Sequence, residues 1–336
     1  MDKTKRILMA HGSGGIMMHR LLKEMIFPAF ANQILKKAED AAILDLKGKT
    51  AFTTDSFVIH PLFFPGGDIG KLSICGTVND LAVMGAEPRY LTAACIIEEG
   101  FELDKLRDII RSMAKTASDA GVAIVGGDIK VVEKNACDGI FINTTGIGTI
   151  LPGTRISAST AAKGDAVIIN GYIGEHGTAV MSARDDYGLT ASISSDCACL
   201  NGITQTILKT SGRIHVMRDP TRGGVATTLN EIAQQSGVEI VIEEDLLPIS
   251  DPVRGFSEIL GIEPLYMANE GKVLIFAPEE DASKIISAMR KHPLGKRAAV
   301  IGRVVKKGEP QVLLHTAIGS TRILDMLTGE QLPRIC

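Results

Sequence analysis

The stretch Gly76-Thr-Val-Asn-Asp-Leu-Ala-Val-Met-Gly-Ala-Glu-Pro88 constrains the fold more than any other. Residues 72–75 ahead of it read as a buried strand. Leu81, Val83 and Met84 read as the apolar face of a short helix that Gly85 closes and Pro88 keeps from resuming. Asn79 and Asp80 then fall at the strand-to-helix handover, where exposed N–H groups and the positive dipole end favour a carboxylate. A single capped helix accounts for this motif taken alone. Other acids, each beside glycine or threonine, recur along the chain, and hard oxygen ligands of this kind suit Mg²⁺ shared with phosphates.

The 336 residues allow about two domains at roughly 150 residues each. A net charge of −3 and a pI near 6.2 argue against a nucleic-acid or anionic-membrane surface. There is no apolar run of the roughly 18 residues a membrane span needs, and the first residues lack a signal-peptide core. None of the six cysteines forms a paired CxxC. Cys75 and Cys95 lie in apolar, strand-like runs and read as buried thiols, and the CxC of Cys197 and Cys199 as helix packing. The expectation is a soluble, reduced, cytoplasmic protein.

In chain order, His11-Gly-Ser-Gly-Gly15 comes first, and its glycines let backbone N–H groups close around an anion. A helix with Met17, Leu21, Leu22, Met25 and Ile26 on one face follows and is expected to end before Pro28. Residues 42–46 and 50–54, around Lys47-Gly48-Lys49, suggest a hairpin that delivers Thr53-Thr54-Asp55-Ser56 to a strand end. Asp55 there suits a ligand and a turn cap equally. Strand 90–97, a helix from Leu103 and strand 122–125 lead to Gly126-Gly127-Asp128-Ile-Lys130, whose order favours a phosphate and metal role over a packing turn. Lys134 is an exposed lysine of open purpose, and Leu151-Pro-Gly153 marks a domain boundary.

In the second half, His176 beside Gly177 reads as a loop histidine. Arg218-Asp219-Pro-Thr-Arg222-Gly-Gly224 packs an acid and two arginines at a helix start. Arginines there oppose the dipole unless an anion or several carboxylates lie nearby. A strand–helix–strand unit at 272–304 echoes the first half, preceded by Asn269-Glu270-Gly271. Cys336, last in a proline-stiffened stretch, can reach across a surface.

Together, HGSGG, TTDSF at 53–57, residues 76–88, GGDIKVV at 126–132, RDPTRGG, NEG and the closing PRIC resemble the HypE family. These are hydrogenase maturation proteins within the AIR-synthase-like (PurM-like) superfamily, and the likeness covers essentially the whole chain. The internal motifs are shared with selenophosphate synthetase and related ATP enzymes; PRIC is the specific one. The resemblance implies an α/β (α+β) two-domain fold: a glycine-rich segment and helix (1–40), an N-terminal ATP-binding and dimerisation domain (41–153), a C-terminal α/β sandwich domain (154–318) and a flexible tail (319–336).

It further implies a cytoplasmic homodimer whose N-terminal sheets join into a barrel. ATP and Mg²⁺ would lie in the cleft, with Asp55, Asp80, Asp128 and Asp219 on the metal. His11, Gly12, Ser13, Gly14, Gly15, Thr54, Asn79, Asp80, Gly126, Gly127 and Arg222 would be on the nucleotide. In the family, the carbamoyltransferase HypF loads a carboxamide onto the terminal thiol, ATP-dependent dehydration makes a thiocyanate, and the HypC–HypD complex accepts the cyanide. Cys336 would carry the substrate, Glu270 act as base, Lys130 offset phosphoryl charge, Lys130 or Lys134 help hold the carboxamide, and Arg334 or the partner favour the thiolate. A small-molecule kinase or synthetase leaves PRIC unexplained, and a non-enzymatic scaffold leaves the acid–glycine motifs without purpose.

Overall fold

The computed structural model describes residues 6–13, 15–35, 41–184, 192–327, 329 and 334–336. The first half comprises α1 (Ile16–Leu21), α2 (Phe27–Phe30), β1 (Thr50–Phe57), β2 (Phe63–Phe64), β3 (Gly67–Asp68), α3 (Ile69–Val83), β4 (Ala86–Glu98), α4 (Leu103–Ala120), β5 (Ala123–Val132) and β6 (Ile140–Ile150). The second comprises β7 (Asp165–Ile169), α5 (Glu175–Ser182), α6 (Asn201–Thr210), β8 (Val216–Arg218), α7 (Gly224–Ser236), β9 (Val238–Glu243), α8 (Asp251–Leu260), β10 (Leu274–Pro278), α9 (Glu279–Arg290), β11 (Ala299–Lys307), β12 (Gln311–His315) and β13 (Thr321–Ile323). A four-stranded sheet in the order β1-β6-β4-β5 and a seven-stranded sheet in the order β13-β12-β9-β11-β7-β10-β8 carry the two halves. The expected α/β architecture of two units is what the chain forms.

The organising stretch is helical as far as Val83 and enters β4 at Ala86, and α3 reaches back over 72–75, which corrects the strand expected there. Asp68 caps α3, its Oδ1 accepting the Gly70 and Lys71 N–H groups at 2.7 and 3.1 Å. Every residue of α3 except Lys71 and Asp80 is buried. A helix covered on all sides has no amphipathic period, so its apolar run looks like a strand. Gly70 lets α3 approach α4, since a Cβ there would sit 2.4 Å from the Ile109 carbonyl. Gly85, with φ +74°, closes the helix as expected.

Three further expectations change. Residues 42–47 form no strand; β1 instead pairs antiparallel with β6, Asp55 opposite Thr144. The helix from Ile16 does not stop before Pro28: a π turn over Leu22–Ile26 carries it into α2, where Pro28 occupies the first turn and needs no N–H partner. Gly126-Gly127-Asp128 lies inside β5 rather than after it. Gly127 is obligatory there, because a Cβ would meet the Ala93 carbonyl oxygen at 2.1 Å.

The echo between the halves is partial. β4 and β5 are adjacent and parallel across α4, whereas β10 and β11 both flank β7. In the four-stranded sheet one face packs on α3 and α4. The other is open, with Phe52 and Ile96 standing on it at 72% and 43% exposure. α3 also packs against α6 and β8, so the seam between the halves runs along the helix that carries Asn79 and Asp80.

Candidate active site

Three carboxylates meet electrostatically at that seam. Asp55 lies on β1, with its Oδ1 accepting the Ser56 N–H at 2.7 Å. Asp80, at the end of α3, accepts the Thr53 hydroxyl at 2.8 Å. Asp219 follows β8. All three are held above the usual carboxylate range, chiefly by burial. For Asp219 the charges of Asp80 and then Asp55 add to this, and it is pushed up to about 7. Among the described residues no ready-made cage of three or more His, Cys, Asp or Glu groups exists. That donor set still fits Mg²⁺, which keeps several waters and takes one or two carboxylates beside substrate phosphates.

Arg222 acts on Asp55 and on Cys336, the opposing charge expected for arginines beside an acid cluster. It reaches this position because Gly223 and Gly224 take φ +73° and +61° ahead of α7. At Gly224 a Cβ would lie 2.5 Å from the Leu265 carbonyl.

Asn79 is a clamp between the halves. Its Nδ2 donates to the carbonyls of Ala198 and Glu270 at 3.1 and 3.3 Å, and its Oδ1 accepts the Leu200 N–H at 2.7 Å. Glu270 is buried at 3% exposure. Its N–H and that of Gly271 donate to the two oxygens of Asp196 at 3.0 and 3.1 Å, and its carbonyl accepts the Ala198 N–H. Asp196 in turn pairs with the buried Lys272 at 2.9 Å, and Lys272 reaches Glu175 at 3.3 Å. Burial, then the charges of Cys197, Asp196, Asp219 and Asp55, push the Glu270 carboxyl well above its ordinary value. A carboxyl so placed takes up a proton readily once ionised, which suits a base.

Residues 334–336 dock beside the segment after β1. Val58 N–H donates to a Cys336 oxygen at 3.2 Å and His60 N–H to the Arg334 carbonyl at 3.1 Å. Cys336 is half-buried against the core, and burial followed by the charge of Glu270 pushes its thiol up to about 12. The influences on the thiol correct the expected ones. Glu270 raises it and Arg222 lowers it, while Arg334 is spent on Asp138 and on the Val58 carbonyl. The six cysteines are all free, Cys75 Sγ and Cys199 Sγ lying 3.5 Å apart where CxC precedes α6.

Other expected residues stand elsewhere. β5 and β1 are opposite edges of the sheet, so Asp128 is not among the groups acting on Asp55, Asp80 or Asp219. Asp128 pairs with Lys130 at 2.6 Å, and both are exposed. Thr54 is exposed on β1 and its hydroxyl donates to the Thr144 carbonyl. Lys134 is exposed on the loop whose Asp138 holds Arg334.

The HGSGG segment lies along β5: Gly12 touches Val131 so closely that a Cβ would be 2.5 Å from its nitrogen, His11 Nδ1 accepts the Leu8 N–H and the Ser13 hydroxyl donates to the Ala10 carbonyl. Gly15 precedes α1, and Gly14 lies outside the described residues. Between α1, α2, α4 and the β5 edge lies a cavity of about 650 Å³, bounded by Met18, Leu22, Phe27, Gly126, Gly127 and Asp128. Asp196, Lys272, Ser195 and His176 were not foreseen; a Ser-Asp pair directly before an apolar CxC was the available signal.

Two sheets flanked by helices, with the acids gathered at the seam between them, define the class. Residues 38–150 match the model of the AIR synthase related protein N-terminal domain, and residues 162–315 that of its C-terminal domain. The carbamoyl dehydratase HypE of Rhodobacter capsulatus is 48% identical over 337 residues, 99% of each chain. A crystal structure of the hydrogenase maturation protein HypE in complex with ATP superposes with a TM-score of 0.95 at 47% identity, covering 98% of this chain and 99% of that one. The chain in a HypE–HypF complex gives 0.81 at 48%, covering 91% and 99%. The chain belongs to the HypE family of carbamoyl dehydratases that serve hydrogenase maturation. No described helix is long and apolar enough to cross a membrane.

Proposed function

We propose that this protein dehydrates a carboxamide carried as a thiocarbamate on Cys336 to a thiocyanate, with ATP as the phosphoryl donor. The cyanide so made is destined for the iron of nickel–iron hydrogenase. The observation that carries the reading is the docked tail: Cys336 lies within the electrostatic reach of Glu270, Arg222 and Asp55. The carboxamide oxygen is a poor leaving group. Its attack on the γ-phosphorus expels ADP and makes it one, and the amide nitrogen gives up one proton. Loss of phosphate and of the second N–H proton then leaves S–C≡N. Glu270 is the proposed acceptor of the second proton.

Mg²⁺ held by Asp55, Asp80 and Asp219 would neutralise charge on the transferring phosphoryl group. ATP binding is supported by the relative solved with ATP. The cavity at Gly126 and Gly127 has room for the nucleoside, with the HGSGG segment beside it. Lys134 is our candidate for holding the carboxamide. The relative solved with HypF supports that protein as the loading partner, and HypC–HypD as cyanide acceptor follows from the family role. The open sheet face with Phe52 and Ile96 supports a homodimer. Asp128, Lys130 and Thr54, exposed on the same sheet, would act across that interface rather than on their own chain's acid cluster.

The test is the intact mass of the C-terminal peptide after incubation with HypF and carbamoyl phosphate. A carbamoyl adduct on Cys336 should lose one water only with Mg·ATP, form in Glu270→Gln but persist there, and be absent in Cys336→Ala. An adduct that never loses water removes the assignment.

A further inference from the structure

We propose that His176 is a positioning residue for this reaction: its Nε2–H seats the last peptide of the tail and so aims Cys336 at Glu270. The proposal rests on the reading that Cys336 carries the carboxamide. His176 opens α5 and is wholly buried. Nε2 lies 2.8 Å from the Ile335 carbonyl oxygen and Nδ1 2.8 Å from Ser195 Oγ. A carbonyl only accepts, so Nε2 carries the proton and Nδ1 of the neutral ring accepts from the serine hydroxyl. Ser195 Oγ accepts the Cys197 N–H at 3.0 Å, which completes its partners. Burial lowers the histidine pKa and keeps the ring neutral, and Phe64 packs edge-on at 5.5 Å between centroids, limiting its rotation.

The arrangement couples two things the reaction needs in register. Ser195 reaches the tail through His176, while its neighbour Asp196 holds the N–H groups of Glu270 and Gly271. One loop thus fixes the carrier and the base through consecutive side chains. Val58 and His60 N–H groups and the Arg184 guanidinium take the Cys336 and Arg334 oxygens. The Ile335 carbonyl between them is held by His176. Proximity of reacting groups is sensitive to displacements of about 1 Å, so a loose tail peptide slows the chemistry without touching any reacting atom.

The experiment compares His176→Leu, which keeps bulk without a donor, with His176→Gln, which keeps an N–H near the Nε2 position, both in the full chain. After loading by HypF, the single-turnover loss of water from the Cys336 adduct is followed on adding Mg·ATP. The leucine variant is expected to be roughly 10- to 100-fold slower, with glutamine recovering most of the rate and ATP affinity unchanged in both. In parallel, iodoacetamide labelling of Cys336, read on the C-terminal peptide without ATP, should be about tenfold faster in the leucine variant and near wild type in the glutamine variant.

Wild-type values for the leucine variant in both assays overturn the proposal. So does a slow reaction with unchanged labelling and no rescue by glutamine, which marks a packing role. If wild type loads but never loses water, the underlying reading fails, and labelling alone still decides whether His176 holds the tail. Should His176→Leu not fold, Ser195→Ala, which releases the tautomer, is expected to shift both readouts about fivefold in the same direction; no shift overturns the idea.

Discussion

Replacing Asp219 by Asn should stabilise the ligand-free protein, and the gain should grow with pH. The carboxyl is raised from the ordinary 3.8 to about 7. A raised acid favours the folded state fully below its unfolded value, and that contribution is lost as pH climbs through the folded one. Between pH 4 and pH 8 the wild type should therefore lose stability relative to the variant. At about 1.4 kcal/mol per pH unit, the interval between the two values sets a ceiling of about 4 kcal/mol.

Urea unfolding in EDTA at pH 5 and pH 8 reads this as a widening difference in midpoint. Adding Mg·ATP should stabilise the wild type and leave Asp219→Asn nearly unmoved, because the ion relieves the repulsion that the variant has already lost. A difference within about 0.5 kcal/mol across that pH range would refute the reasoning, since neither burial nor the charges of Asp80 and Asp55 would then be holding the Asp219 carboxyl up.

Asn79→Ala takes the amide away from the Leu200 N–H and the Ala198 carbonyl, while the Glu270 carbonyl keeps the Ala198 N–H. It should lower unfolding stability by roughly 3 kcal/mol, and an unchanged urea midpoint would remove the clamp. Phe52→Glu on the open sheet face should turn a sedimenting dimer into a monomer while the Cys336 adduct still forms; a dimer of unchanged stability would place the interface elsewhere.

The acids were legible because each falls close to glycine or threonine, and four of them, Asp55, Asp80, Asp219 and Glu270, do act on one another or on the tail. What the sequence hid was geometry over distance. Helix α3 masqueraded as a strand because it is buried on all sides and its cap, Asp68, lies well upstream of the motif. β1 looked like one arm of a local hairpin, yet it finds its partner in β6, about ninety residues on. The resemblance puts Asn79 on the nucleotide, whereas here its amide is engaged by the backbone of the other half. His176 looked like a loop histidine because its partner Ile335 lies 159 residues away. No local pattern encodes a contact of that span.

The seat of the tail has a kinetic consequence. Val58, His60, His176 and Arg184 all take main-chain oxygens of residues 334–336. Contacts of this kind hold an extended backbone of any sequence, and a free tripeptide would bind them feebly. A tethered one is presented at an effective concentration of order mM and needs little intrinsic affinity. With Cys336 as carrier, the dehydration is unimolecular in its carboxamide: it cannot be saturated by adding more of it, and each chain completes one cycle per loading. The rate that matters is then how often the arm leaves its seat to be loaded and unloaded, and weak main-chain contacts keep that exchange quick.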